Sequence, residues 1–294
     1  MYGLTGESIA LRMVFMSSLS ITFPPASRLP RPALLLSLSV LALVLGWALF
    51  PGLFSRIDPL LAVPAKALQA PSAEHWFGTD HLGRDLYSRT VHGASLSLRA
   101  TTLAVLIALL VGGALGLLAG YFSGKLDALL MRLVEVLMAI PSLLLAMAVI
   151  TVLGFGTLNI ALAVGLSSVA TFARLSRGEV LRWRGSTFVE AAIASGVGHG
   201  AIILRHILPH AAGPVLALAA LEFGGAVLAV SALSFLGFGA PPPQPEWGLL
   251  IAEGRNFMVA AWWYTSLPGL VVASVVLAAN QLARAMQRSW GESR

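Results

Sequence analysis

The sequence contains no cysteine, which excludes disulfide staples and thiolate metal sites and leaves the compartment open. Charge is scarce as well. Charged residues make up 11% of the 294, against about 25% in an ordinary soluble domain. With 57% hydrophobic residues, the chain lacks the polar surface of a globule in water, and its composition is that of a polytopic membrane protein. Also missing is the nucleotide loop G-x-x-x-x-G-K-[ST], since Gly124-Lys125 is followed by Leu126. ATP cannot be bound by that route. The apolar stretches carry no pairing of nucleophile and base, which argues against a membrane enzyme.

What is present is a series of six apolar segments, Ala33–Phe50, Ala100–Phe122, Leu129–Leu153, Leu158–Phe172, Ala211–Leu236 and Ala261–Met286. Arg132 and Glu135 move the embedded part of the third to about Val136. The expected architecture is all-α with six transmembrane helices. It divides into a tail (1–31), a first span (32–50), an outer loop (51–99) and a five-helix core (100–290) with an inner loop at 174–210. The tail carries Arg12, Arg28 and Arg31 among prolines, with no long apolar run or cleavage pattern, so it reads as a tail and not a signal peptide. Met13 and Met16 are alternative starts.

With the amino terminus inside, thirteen Lys and Arg fall on inner segments and six on outer ones. The positive-inside rule therefore places both termini in the cytoplasm. The net charge of +6 follows from this topology, so nucleic acid is not needed as a partner.

The same topology puts Glu190–Pro209, EAAIASGVGHGAIILRHILP, in the cytoplasm between spans four and five. Thr187 and Glu190 have the spacing of a capping box, predicting a short helix from about Phe188. Gly196, Gly198 and Gly200 stop it, Ala201–Ile207 forms a second turn of helix, and Pro209 ends that one. At 1.5 Å per residue the first helix is ~12 Å long, too short to cross a membrane.

Within the spans, Gly112, Gly116 and Gly120 share one helical face, suited to close packing in the bundle or to a subunit or pore-lining contact, with packing the preferred reading. Pro141, Pro214 and Pro268 are points where helices kink. Glu222 is the one acid deep in an apolar span. A charge there costs about 2.5–3.5 kcal/mol on insertion scales, so it is expected to face protein or water, as a hydrogen-bonded or pore-facing group, or to be protonated. As a proton relay it would need partners, and the other spans supply no clear second carboxylate, Lys or His at that depth.

Glu190-Ala191-Ala192, then Gly196, then His206 with Leu208-Pro209, resembles the EAA loop of permease subunits of binding-protein-dependent ABC importers. Phe77-Gly78-Thr79-Asp80, with Gly83-Arg84-Asp85 and Ser88-Arg89, is similar to the FGTDxxGRDxxSR signature of the second, C-type permease of the dipeptide, oligopeptide and nickel branch. Leu233–Gly239, the Pro-rich turn 241–245 and Glu246-Trp247-Gly248 resemble the same subunits. The resemblance covers roughly residues 30–290. The chain departs from the pattern at Val230, where this branch commonly carries an acid, and at Asn280–Arg284, which lacks the usual GD-x-LRD-x-LDP.

The resemblance implies the type I importer permease fold in a bacterial inner membrane. The implied partners are a second, homologous permease, two ATP-binding subunits that hold ATP and Mg, and an extracytoplasmic substrate-binding protein; this chain itself holds no cofactor and is not an enzyme. Glu190, Ala191, Ala192 and Gly196 are then the docking surface for an ATPase, and the cargo is a peptide, nickel or a metal chelate. Asp80 and Asp85 are loop-shaping residues, with Arg84 and Asp85 as an ion pair or helix cap. No metal is expected at His199, His206 and His210, nor at His75 and His81. The rival is a secondary transporter driven by an ion gradient, with Glu222 as coupling group. It calls for an inverted repeat and broken mid-membrane helices, neither of which is clear in the sequence.

Overall fold

In the computed structural model, residues 31–291 are described. The expectations for the tail, including Arg12, Arg28 and the alternative starts, lie outside them. Among the described residues, five helices are long and apolar enough to cross a membrane, and a bent pair is apolar enough to make up a sixth span.

Helix α1 (Arg31–Leu49) is followed by a segment with only single helical turns up to Asp85. Next come α2 (Leu86–Ile107), a π-helical turn (Ala108–Gly112) and α3 (Gly113–Phe122), forming one 37-residue span. This span starts well before Ala100, the expected boundary. At 1.5 Å per residue it is ~55 Å long against a hydrocarbon core of about 30 Å, so its first turns stand clear of the apolar layer. The hydrophobic run marks only the part that needs lipid.

The third span departs from a single rod. Helix α4 (Gly124–Met138) and α5 (Ser142–Leu153) meet at 93°. Pro141 causes the break, because it biases Ile140 away from helical geometry and brings no N–H of its own. Helix α6 (Thr157–Arg184) runs past the expected end at Phe172, carried on by Arg174, Arg177 and the long polar face beyond the apolar run. After the short α7 (Thr187–Ala194) the chain re-enters a 37-residue span, His199–Phe235, made of one turn of helix, a π-helical turn (Ile202–Ile207) and α8 (Leu208–Phe235). Pro209 therefore does not end a helix. It sits in the first turn of α8, where its missing donor follows the wider π turn. The short α9 (Trp247–Gly254) and the final α10 (Trp262–Gly291) complete the fold.

The bundle is closed by backbone approach. Cβ atoms added at Gly112, Gly116 and Gly120 would lie 2.4, 2.3 and 2.9 Å from the carbonyl oxygens of Val169, Ala173 and Arg177. Those three residues repeat every fourth position on α6, so the glycine face meets α6 rung for rung, as the packing reading expects. A bidentate pair, Arg177 Nε and Nη2 donating to Asp127 at 2.6 and 2.7 Å, ties α4 to α6. Helix α1 packs on α2 and α10, and α8 on α6 and α10.

Candidate functional site

Three places gather polar or exposed groups. The first is α7 and the turn after it. Ser186 occupies the cap position and makes no side-chain cap bond. The expected capping box at Thr187 is not formed, because Thr187 is already inside the helix, while the Ser186 hydroxyl donates back to the Trp183 carbonyl at 2.5 Å. The helix ends in a Schellman motif, with Gly196 N–H bonding to Ile193 O at 3.0 Å and Val197 N–H to Ala192 O at 3.1 Å. Gly196 holds φ +77°, a left-handed conformation that suits glycine.

Glu190 and Ala191 are exposed, Ala192 is partly so, and Gly196, Leu208 and Pro209 are exposed. On the opposite face Val189 is fully buried among Tyr121, Val180, Ile202, Ile207 and Ala211. His206 is half-buried, its ring 6.5 Å from that of Phe188; the His210 ring lies 4.7 Å from that of Trp183, tilted by 47°. The Tyr121 hydroxyl meets His199 Nδ1 at 2.7 Å. The two ends of the predicted loop are thus brought together, and each of the three histidines has an aromatic neighbour.

The second place, on the far side of the bundle, is built from Phe77–Arg89. Asp80 is fully buried. Its Oδ1 accepts from the N–H groups of Leu82 and Arg84 at 2.8 and 2.9 Å, and its Oδ2 from Arg84 Nε at 2.5 Å and Arg89 Nη1 at 2.9 Å. Arg84 therefore pairs with Asp80, not with Asp85 as the motif suggested. Asp85 is the cap of α2, accepting from Ser88 N–H at 2.6 Å, and its other oxygen lies 2.8 Å from His75 Nδ1. Gly83 has φ +74°, and a Cβ there would fall 1.9 Å from Val63 O, so no other residue fits. Thr79 binds the preceding segment through Lys66 O at 2.5 Å and Gln69 N–H at 2.8 Å. Gly78 lets Trp263 approach its backbone, and Phe77 packs edge-on against Tyr87.

Two partners here were not singled out in the sequence. Glu253 of α9 accepts from Arg89 Nη2 at 3.1 Å and from the Tyr264 hydroxyl at 3.0 Å. Burial raises the Glu253 pKa, opposed by the Tyr264 hydrogen bond and Arg84. Asp80, His81 and Glu253 stand close enough to hold a metal, but Asp80 Oδ2 and Glu253 Oε2 already receive guanidinium groups, which oppose a divalent cation. Nearby, Glu246 is fully buried between the Ser234 hydroxyl at 2.5 Å and the Ala240 N–H at 3.4 Å, and burial raises its pKa. Gly239 and Gly248 leave the room this arrangement needs.

The third place is a cavity of about 150 Å³ between α5, α6 and α8, lined by Glu222 with Ser142, Ser167, Ser168, Gly225 and apolar side chains. Ser168 of α6 lines the cavity beside Glu222. Val230, two turns further along α8, is fully buried in the apolar seam instead.

Compared with known proteins, residues 112–291 match the model of a family described as binding-protein-dependent transport system inner membrane component. The chain is 42% identical over 235 residues to a dipeptide transport system permease protein of Alkalihalophilus pseudofirmus, covering 80% of this chain and 77% of that one. It is 44% identical over 212 residues to a glutathione transport system permease protein of Escherichia coli, covering 72% and 70%. Among solved structures, the inward-facing MetNI methionine ABC transporter aligns with TM-score 0.52 at 17% identity over 67% of this chain and 96% of that one. An amino acid ABC transporter aligns with TM-score 0.54 at 18% identity over 69% and 94%. These two carry the fold alone.

Proposed function

The chain belongs to the family of binding-protein-dependent transport system inner membrane components, and on that premise we propose that it is the non-catalytic, cargo-passing half of a peptide importer, driven through the loop around α7. Its membership makes it the transmembrane permease of an ABC importer in the inner membrane, which sets aside the ion-driven secondary transporter. The cargo we assign is a small peptide, because the relatives described above are named for dipeptides and glutathione; neither is named for nickel.

The observation that carries the coupling role is the two-faced seating of α7. Its outer face, Glu190 and Ala191, is free for a partner, while Val189 is locked against α6 and the start of α8. Small side chains let an ATPase groove approach the backbone closely, and a short helix closed by a Schellman turn passes on displacement that a loose loop would absorb. ATP and Mg sit in this reading on two separate ATP-binding subunits, a second homologous permease completes the pathway, and an extracytoplasmic binding protein delivers the cargo. With the positive-inside distribution, α7 and both termini face the cytoplasm. Alternating access is then a population shift between inward- and outward-open bundles, driven by closure of the ATPase pair.

The test is Glu190→Arg and Gly196→Val in the complete transporter, scored by co-purification of the ATPase subunits and by dipeptide uptake. Gly196→Val places a β-branched residue at positive φ, which costs more than the roughly 1–2 kcal/mol of an ordinary residue, and should unseat the turn. Loss of uptake with weakened ATPase association is expected. Normal docking and normal uptake in both variants refute the coupling role.

A further inference from the structure

We propose that Glu222 and Ser168 form a transit subsite for a primary ammonium group, the amino terminus of the peptide being carried. The inference rests on the peptide reading above and adds to it a place where the permease itself holds cargo. A lone carboxylate at this depth is costly, and it is met either by a proton or by a cation that enters and displaces that proton. The compensation is not a basic side chain, since none lines the cavity. Ser168 stands beside Glu222 in the cavity wall, and a carboxylate accepts more hydrogen bonds than a neighbouring hydroxyl can give, which leaves acceptor capacity open to whatever enters.

The surroundings fit a small cation with its own donors. Ser142, Ser167 and Ser168 add hydroxyls around Glu222, Ser167 being turned back onto Val164 O at 2.8 Å, and Leu143, Ala146, Ala226 and Ala229 supply apolar wall. An ammonium presents three donors to carboxylate and hydroxyl acceptors. A Cβ on Gly225, one turn beyond Glu222, would meet nothing within 4 Å, so that side of the cavity is open. The site is placed on α8 about 20 Å from the Phe235 end at 1.5 Å per residue, well inside the span. It stands where α5 begins after the Pro141 break, so a shift of either half of the broken span changes access to it.

Because the chain has no cysteine, Gly225→Cys introduces a single thiol at the cavity. In the complete transporter, its labelling is followed by the mass of this chain with aminoethyl methanethiosulfonate, which carries an ammonium, and with the sulfonatoethyl reagent, which carries an anion. The ammonium reagent is expected to react at least tenfold faster, Glu222→Gln to abolish that preference and Glu222→Asp to keep it. Alanyl-alanine supplied with its binding protein and ATP should slow the labelling when Glu222 is present. Equal rates for the two reagents, or a preference that survives Glu222→Gln, overturn the subsite. A Glu222-dependent preference with alanyl-alanine transported but not protecting overturns its assignment to the peptide amino terminus. A Glu222-dependent preference with alanyl-alanine not transported upholds the ammonium site and overturns the peptide reading instead.

Discussion

Asp80→Asn removes one charge from the most buried ionic group of the described residues while keeping size and shape. Asp80 receives four hydrogen bonds, two from backbone N–H groups and two from guanidinium groups, at 2.5–2.9 Å. After the substitution, Arg84 and Arg89 share only Glu253, at 3.6 and 3.1 Å. Two unit charges about 4 Å apart at an effective dielectric of 20 interact by about 4 kcal/mol, and breaking a buried pair costs about 3–5 kcal/mol. At roughly 2 °C per kcal/mol for a chain of this size, the melting temperature should fall by about 6–10 °C, read by size-exclusion of the heated, solubilised transporter. Arg89→Met added to Asp80→Asn should recover part of the loss, because it removes one of the stranded cations. Breaking the exposed Lys66–Glu74 pair by Glu74→Gln should leave the melting temperature in place. An Asp80→Asn protein that melts within about 1 °C of the parent would refute the account of this cluster as a buried, mutually dependent group.

Gly116→Ala should lower stability by about 1–3 kcal/mol, the usual cost of overpacking, because its Cβ would lie 2.3 Å from Ala173 O. Gly113→Ala, whose nearest neighbour is Ser176 Oγ at 3.9 Å, should be tolerated; thermal unfolding of the two variants decides between a helix interface and a loose contact. Glu246 predicts a pH dependence. Its pKa is raised by burial, so the folded chain holds a proton that the unfolded chain has released. This contribution to stability is intact below the ordinary glutamate range and declines as pH rises from there through the raised value. Glu246→Gln should flatten that decline, as measured by thermal unfolding across pH.

The membrane spans were legible because lipid imposes one simple rule, a run of apolar residues, and the motifs were legible because their spacing is rigid. What lay beyond the apolar runs was not. The first two turns of α2 contain Arg89, His92 and several hydroxyls, so nothing in hydropathy marks them as helix, yet they form one continuous rod with the apolar part. Pro209 was read as a stop because local propensity is blind to the π turn before it. Of the two readings of Arg84 and Asp85, the helix cap is formed by Asp85, whereas the ion pair is not, because the turn closed by Gly83 folds the Arg84 side chain back to Asp80. Glu253 and Tyr264 entered the cluster only through the packing of α9 and α10, and no local pattern announces a partner more than a hundred residues away.

The same contrast between rigid and compliant elements connects α7 to the Glu222 cavity. Val189 presses on Val180 of α6, on Ile207 at the end of the π turn and on Ala211 in the first turn of α8. Helix α6 runs unbroken from Val180 back to Ser168, about 18 Å at 1.5 Å per residue, and is clamped to α3 by the glycine ladder and to α4 by Arg177–Asp127. The path along α8 is different. It leaves the π turn at Ile207 and carries an internal Pro214 between Ala211 and Glu222, and that proline is a point where a helix yields. A push on α7 is therefore held by α6 and absorbed as bending or sliding in α8, so the relative motion falls between Ser168 and Glu222. In the proposed importer, that places the work of ATP at the carboxylate that holds the cargo. Stiffening α8 by Pro214→Ala should accordingly slow dipeptide uptake while ATPase subunits still bind α7; uptake at the parental rate in that variant would locate the compliant point elsewhere.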